Sequence, residues 1–132
     1  MSEADVENIR ARYEAVSRGD RAAGFRDVQP GFVLVTPDRV PNAGTYVGGE
    51  AANRFMADFW VPFEEVIVEP EQFFENGDRI AVLLHVRSRH EGSSAFVDIH
   101  VGAVWTMKDG KPARCEMYPV AQEALEAAGV AN

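Results

Sequence analysis

The stretch EVIVEPEQFFENGDRIAVLLHVRSRHEGSSAFVDIHVGAVWTMKDGKPARCEMY, residues 65–118, decides the fold. Four strand-like segments run through it: 65–74, 79–89, 95–107 and 112–118. Their connectors are Asn76-Gly77, Glu91-Gly92-Ser93 and Asp109-Gly110. Asn-Gly and Asp-Gly between apolar runs favour tight hairpins, because these residues tolerate positive φ. Successive hairpins predict a four-stranded antiparallel meander. Pro70 lacks an N–H for the ladder, so it is expected at an edge or a bulge. A long sheet twists and therefore curves.

Upstream the period changes. Val6, Ile9, Tyr13 and Val16 recur at helical spacing and form one stripe on a helix of about four turns. Ser2 with Asp5 reads as its capping box. Gly19 suits the position after the helix, and Asp20 suits the cap of a second short helix over 22–25. Pro30-Gly31 interrupts. Residues 32–36 predict a short strand, Pro37, Pro41, Asn42 and Gly44 a loop, and 45–47 another short strand. A helix over 50–60 turns Phe55, Phe59 and Met56 inward and stops at Pro62; a last helix over 121–128 stops at Gly129. Helices followed by a meander predict an α+β fold in a single domain, 1–132, with a pocket between the concave sheet and the helices.

The bulk properties agree. A chain of 132 residues, 46% of them hydrophobic, carries material for a core. The net charge of -8 disfavours nucleic acid and anionic membrane surfaces as partners. No apolar run approaches a membrane span. Cys115 is the lone cysteine, and residues 1–5 are acidic without an apolar leader, so a reducing, cytoplasmic setting is expected. No cofactor motif stands out: Gly48-Gly49 before a helix is only a turn. His85 and His90 have no partners at ligand spacing, so no metal site is expected.

Several short motifs, taken in order, resemble the SnoaL-like group of the nuclear transport factor 2-like superfamily. They are Ile9-Arg10-Ala11-Arg12-Tyr13 with Gly19-Asp20, Gly44-Thr45-Tyr46 with Gly48, Val104-Trp105-Thr106 with Asp109-Gly110-Lys111, and residues 123–129. The resemblance implies a cone-shaped fold with a deep pocket. It also implies a homodimer packed through the outer sheet face. Steroid isomerases of this kind use a Tyr on the first helix, an Asp on the first strand and an acid on a late strand. Here Tyr13 matches, but Thr36 and Gly102 stand at the other two positions. The epoxide hydrolase pattern places an acid on the last strand, where this chain has Met117.

What remains is the strand 96–105. If Gly102 faces the pocket, so do Asp98 and His100, about 6.6 Å apart at about 3.3 Å per residue. His100 is then a general acid/base, Asp98 its orienting carboxylate and Tyr13 a hydroxyl donor. The opposite parity competes: Val97, Ile99, Val101, Ala103 and Trp105 make the cleaner apolar face, the one expected to be buried. Phe32, Phe55, Phe59, Trp60 and Met117 are candidate ligand-binding residues, or equally core. Cys115 reads as a buried thiol, and Arg114 and Glu116 as outer-face charges. Two functions fit. One is a cofactor-independent isomerase, cyclase, dehydratase or hydrolase acting on a small apolar molecule. The other is a non-catalytic ligand-binding or dimeric accessory domain.

Overall fold

The structure, a computed structural model, describes residues 3–36 and 42–130. Ser2 of the expected capping box, and Pro37 and Pro41 of the expected loop, lie outside the described residues. The helices are α1 (Glu3–Ser17), α2 (Gly49–Trp60) and α3 (Ala121–Ala128), with a 3₁₀ turn at Arg21–Phe25. The strands are β1 (Val33–Val35), β2 (Thr45–Val47), β3 (Phe63–Asn76), β4 (Arg79–His90), β5 (Val97–Lys108) and β6 (Lys111–Tyr118).

All six strands join one mixed sheet in the order β2-β1-β6-β5-β4-β3. The meander β3 to β6 is antiparallel throughout, as its turns predict. Asp109 and Gly110 both take positive φ, 51° and 80°, the geometry that matches a tight turn to the twist of its strands. β3 is an edge strand, and its register slips between Pro70 and Gln72, where proline was expected to break pairing. The parallel pairing of β1 with β6, Leu34 opposite Cys115, joins segments far apart in sequence. Asp20 precedes the 3₁₀ turn but does not cap it; its carboxylate binds Arg26 instead, at 2.9 and 3.0 Å.

The sheet carries apolar side chains on both faces. On the concave face Ile80, Val82, Leu84 and Val86 of β4 lie opposite Trp105, Ala103, Val101 and Ile99 of β5. They pack with Ile9 of α1, Phe25, Phe32 and Phe55 into the main core. On the convex face a second cluster joins Ala81 and Val104 to Ala124 and Ala128 of α3. α3 lies so close to β5 that a Cβ on Gly102 would come 2.6 Å from the Ala124 Cβ. Asn76 Nδ2 and Arg79 Nη1 donate to the carbonyls of Ala128 and Ala127 at 2.8 and 3.2 Å, satisfying the helix C-terminus. No described helix is long and apolar enough to cross a membrane.

Candidate functional site

Between the concave face and the helices lies a cavity of about 220 Å³. α1 supplies Arg12, Tyr13 and Val16 to its wall, and α2 supplies Met56, Phe59 and Trp60. The sheet supplies Leu84, Val86, Ile99, Val101, Ala103, Trp105, Cys115 and Met117. The spacing follows from the elements: Tyr13 and Val16 are neighbours on one helical stripe, and Ile99 to Trp105 alternate along β5.

At the wall, Trp105 Nε1–H donates to the Tyr13 hydroxyl oxygen at 2.9 Å. Their rings meet edge to face, 6.0 Å apart at 88°. Trp105 also stacks on Phe25 at 5.8 Å, which fixes the indole and hence the direction of its N–H. Tyr13 donates to no other described residue, so its own proton is available to an occupant. Burial pushes the phenol well above its ordinary pKa; the neighbouring Cys115 adds to this, and the Trp105 hydrogen bond opposes it. Tyr13 therefore stays protonated, which leaves its hydroxyl able to donate and unsuited to serve as a base.

The two arginines at the wall are already engaged. Arg12 donates to Asn8 Oδ1 at 2.9 Å and to the carbonyls of Gly24 at 3.3 Å, Asp27 at 3.1 Å and Arg26. Burial lowers its pKa, and the charge of Asp27 works the other way. Arg21 donates to the carbonyls of Trp60 and Phe63 at 3.0 and 3.1 Å, closing the end of α2. Both cations turn donors to backbone carbonyls, and Arg12 also donates to the Asn8 side chain. Cys115 is buried, and burial first, then Glu116, raises its pKa, so the thiol is not a nucleophile. The described wall has no Asp, Glu or His. Its polar side chains are Tyr13, Tyr118, Cys115 and the two engaged arginines; the rest is apolar.

Two expectations about β5 are corrected. Asp98 and His100 do not face the cone. The cavity takes Ile99, Val101, Ala103 and Trp105, so the alternation of the strand turns Asp98 and His100 to the convex face. There the His100 side chain is 63% exposed and lies 3.4 Å from Glu71. Its ring stacks on His85 at 4.7 Å. Asp98 Oδ1 accepts from His85 Nε2 at 2.8 Å and lies 3.2 Å from Arg87 Nε. Glu69 stands 3.8 Å from His85 Nδ1. This is a surface network without access to the cavity, and acid/base work on an enclosed ligand by His100 fails on geometry. No described group of three or more His, Cys, Asp or Glu is placed to hold a metal.

Of the candidate ligand contacts, Phe59, Trp60 and Met117 line the cavity. Phe32 and Phe55 do not. Phe32 is fully buried against Phe25, 5.5 Å away, and Phe55 packs between Tyr46 and Phe59 at 4.8 and 6.1 Å. Both belong to the core behind the wall. Thr36 is also structural: its hydroxyl donates to the Gly44 carbonyl at 3.1 Å and accepts from the Gly44 N–H at 2.7 Å. Trp105 is the contact the sequence reading passed over, although its place in the apolar parity of β5 was visible.

The family model identifies the family, and the solved structures agree on the fold. The family model described as a SnoaL-like domain matches residues 9–115. Comparison with curated proteins finds no match. Among solved structures, TerC co-crystallised with polyporic acid superposes with a TM-score of 0.77 at 22% identity, covering 96% of this chain and 99% of that one. A nuclear transport factor 2-like protein of unknown function from Burkholderia pseudomallei gives 0.77 at 23% identity, over 96% and 97%. A candidate SnoaL-like polyketide cyclase from Jannaschia gives 0.73 at 20% identity, over 100% and 97%. These likenesses establish the fold, the nuclear transport factor 2-like cone.

Proposed function

This chain belongs to the SnoaL-like domain family, and from that premise we propose that its cone binds a small, uncharged, one- or two-ring molecule that accepts a hydrogen bond from Tyr13. One observation carries the reading. Trp105 saturates one side of the Tyr13 oxygen at 2.9 Å and leaves its proton as the donor open to an apolar cavity. An apolar cavity of about 150 Å³ holds a benzene ring. At about 220 Å³ this one has room for somewhat more. A cationic ligand would lose its hydration without meeting a carboxylate on the described wall, and an anionic one would meet guanidinium groups whose donors are turned to backbone carbonyls, which disfavours both. The co-crystallisation of TerC with polyporic acid supports a small organic molecule as the kind of occupant this cone takes.

The same geometry limits the chemistry. A protonated phenol polarises a bound carbonyl, as an oxyanion donor does. The described wall holds no carboxylate or imidazole to remove a proton. Binding, with polarisation of one ligand oxygen, is therefore favoured over an isomerase or cyclase that relies on its own base. We place the protein as a cytoplasmic homodimer. The unpaired Cys115 thiol supports the first part, and the half-exposed Val97 and Ile99 support the second.

The test compares indane with 1-indanone, which have nearly the same shape and differ by one carbonyl. Trp60 and Trp105 both line the cavity, so their fluorescence reports binding. Tyr13→Phe is expected to weaken 1-indanone about tenfold and to leave indane unchanged, the worth of one hydrogen bond of about 1–1.5 kcal/mol. Equal losses for both probes, or binding of neither, would overturn the proposal.

A further inference from the structure

The row of side chains that β5 turns to the concave face changes along its length. Trp105 and Ala103 are 2% exposed, Ile99 is 47% exposed and Val97 50%. Ile99 is nevertheless part of the cavity wall, so the cavity is closed at the Trp105 end and reaches the surface at Ile99. The cause is the length of β6. It pairs with β5 only from Gly102, opposite Tyr118, onward, and leaves 97–101 bordered by β4 alone among the described strands. Two half-exposed β-branched side chains thus continue the apolar floor of the cavity out into solvent.

β4 runs beside this exit. Val86, opposite Ile99, is buried and lines the cavity. Two residues on, Ser88 stands opposite Val97 and shares the concave face with Val86. Ser88 is 7% exposed, and no described residue hydrogen-bonds its hydroxyl. Among the described residues every sealed polar side-chain atom has a partner, so this oxygen keeps an opening to the space it faces. A nearly buried hydroxyl without a partner has given up most of its hydration and gains from a polar group brought to it. The exit therefore offers an apolar strip, then one unsatisfied neutral hydroxyl.

We propose that the ligand of this cone is longer than the enclosed chamber: a ring with its acceptor at Tyr13, and an unbranched apolar chain that leaves past Ile99, lies on Val97 and brings an uncharged polar end to Ser88. The inference rests on the reading of Tyr13 as the ligand's donor and extends that ligand from a ring to a ring with a tail. The step from Ile99 to Val97 is about 6.6 Å, roughly five extended carbon–carbon bonds. A chain there has solvent on one side. Each methylene should then gain about twofold in affinity, against about fourfold for complete burial.

The experiment titrates the full chain with acetophenone, hexanophenone and decanophenone below their solubility limits, read by the fluorescence of Trp60 and Trp105. Affinity should rise through the series, with decanophenone about tenfold tighter than hexanophenone. Val97→Asp, at a half-exposed position, should cancel that step and leave acetophenone unchanged; Val97→Asn should do the same and serves if the charged variant fails to fold. Among ω-hydroxy counterparts with chains of about six to ten carbons, one length should bind about fivefold tighter than its neighbours, and Ser88→Ala should remove that preference while the plain alkyl series stays as it was. Binding of none of the ketones would overturn the tail together with the reading it rests on. Acetophenone bound as tightly as decanophenone, or a chain-length gain that ignores both Val97 variants, would overturn the tail alone. So would a Val97→Asp that changes only the mass found by light scattering, which would give the strip to a protein contact. A hydroxyl preference that survives Ser88→Ala would overturn the contact at Ser88.

Discussion

Gly102 stands where the steroid isomerase pattern carries an acid, and the structure supplies a packing reason for glycine there. A Cβ at this position would lie 2.6 Å from the Ala124 Cβ and 3.4 Å from the Ala121 Cα. Ordinary carbon contacts are about 3.5–4.0 Å, so α3 would have to retreat by roughly an ångström. Neither neighbour is a flexible side-chain end, and Ala124 and Ala128 are fully buried in the seam. Overpacking of this kind costs about 1–3 kcal/mol, so Gly102→Ala should destabilise by about 2 kcal/mol. In urea that moves the unfolding midpoint by roughly 1 M. Ala124→Gly alone should also cost about 1.5 kcal/mol, from helix propensity and the lost methyl. The two substitutions together should cost about 2 kcal/mol, far less than their sum, because the second removes the atom the first strikes. A neutral Gly102→Ala, or strictly additive losses in the pair, would refute the argument that α3 packing dictates the glycine.

Three further outcomes follow from the cavity wall. Arg12→Ala leaves the carbonyls of Gly24, Arg26 and Asp27 without their donor and should cost about 3 kcal/mol in chemical unfolding; Arg12→Lys should recover little, since one ammonium cannot span three acceptors. Cys115 and Tyr13 hold their protons in the folded state above ordinary values of 9.0 and 10.0, so the unfolded chain loses them first. Their stabilisation is complete below about pH 9 and falls as pH rises, by about 1.4 kcal/mol per pH unit for each titrating group. Melting temperatures from pH 8 to 11 should show the decline, and Cys115→Ala should delay its onset toward 10. Met117→Asp puts a carboxyl in an apolar wall, which raises its pKa above about 3.9; the variant should lose stability relative to the parent as pH climbs from 4 to 7, read by thermal melts at each pH.

The meander and the helices were legible because their signals are local. Asn76-Gly77 and Asp109-Gly110 announce turns, and Val6, Ile9, Tyr13 and Val16 announce one helical face. Parallel pairing of β1 with β6 has no such signature: it joins Leu34 to Cys115 through the tertiary fold alone. The Tyr13–Trp105 hydrogen bond is of the same kind, linking residues 92 apart in sequence.

β5 shows where pattern and resemblance parted. Its apolar parity, Val97 to Trp105, pointed inward, and the structure agrees by placing Ile99, Val101, Ala103 and Trp105 on the cavity. The opposite parity was attractive because it is not uniformly polar: Gly102 and Val104 are buried, while Asp98 and His100 are exposed. The reason lies in α3. It covers the convex face over Gly102 and Val104 and stops there, so one face of a single strand changes from core to solvent within two residues. A strand pattern averaged over its length cannot register such a boundary. The residues just beyond it, 97–101, have exposed side chains on both faces and no strand along one edge. A segment built from alternating valine and isoleucine in that position carries more apolar surface than a solvated edge favours.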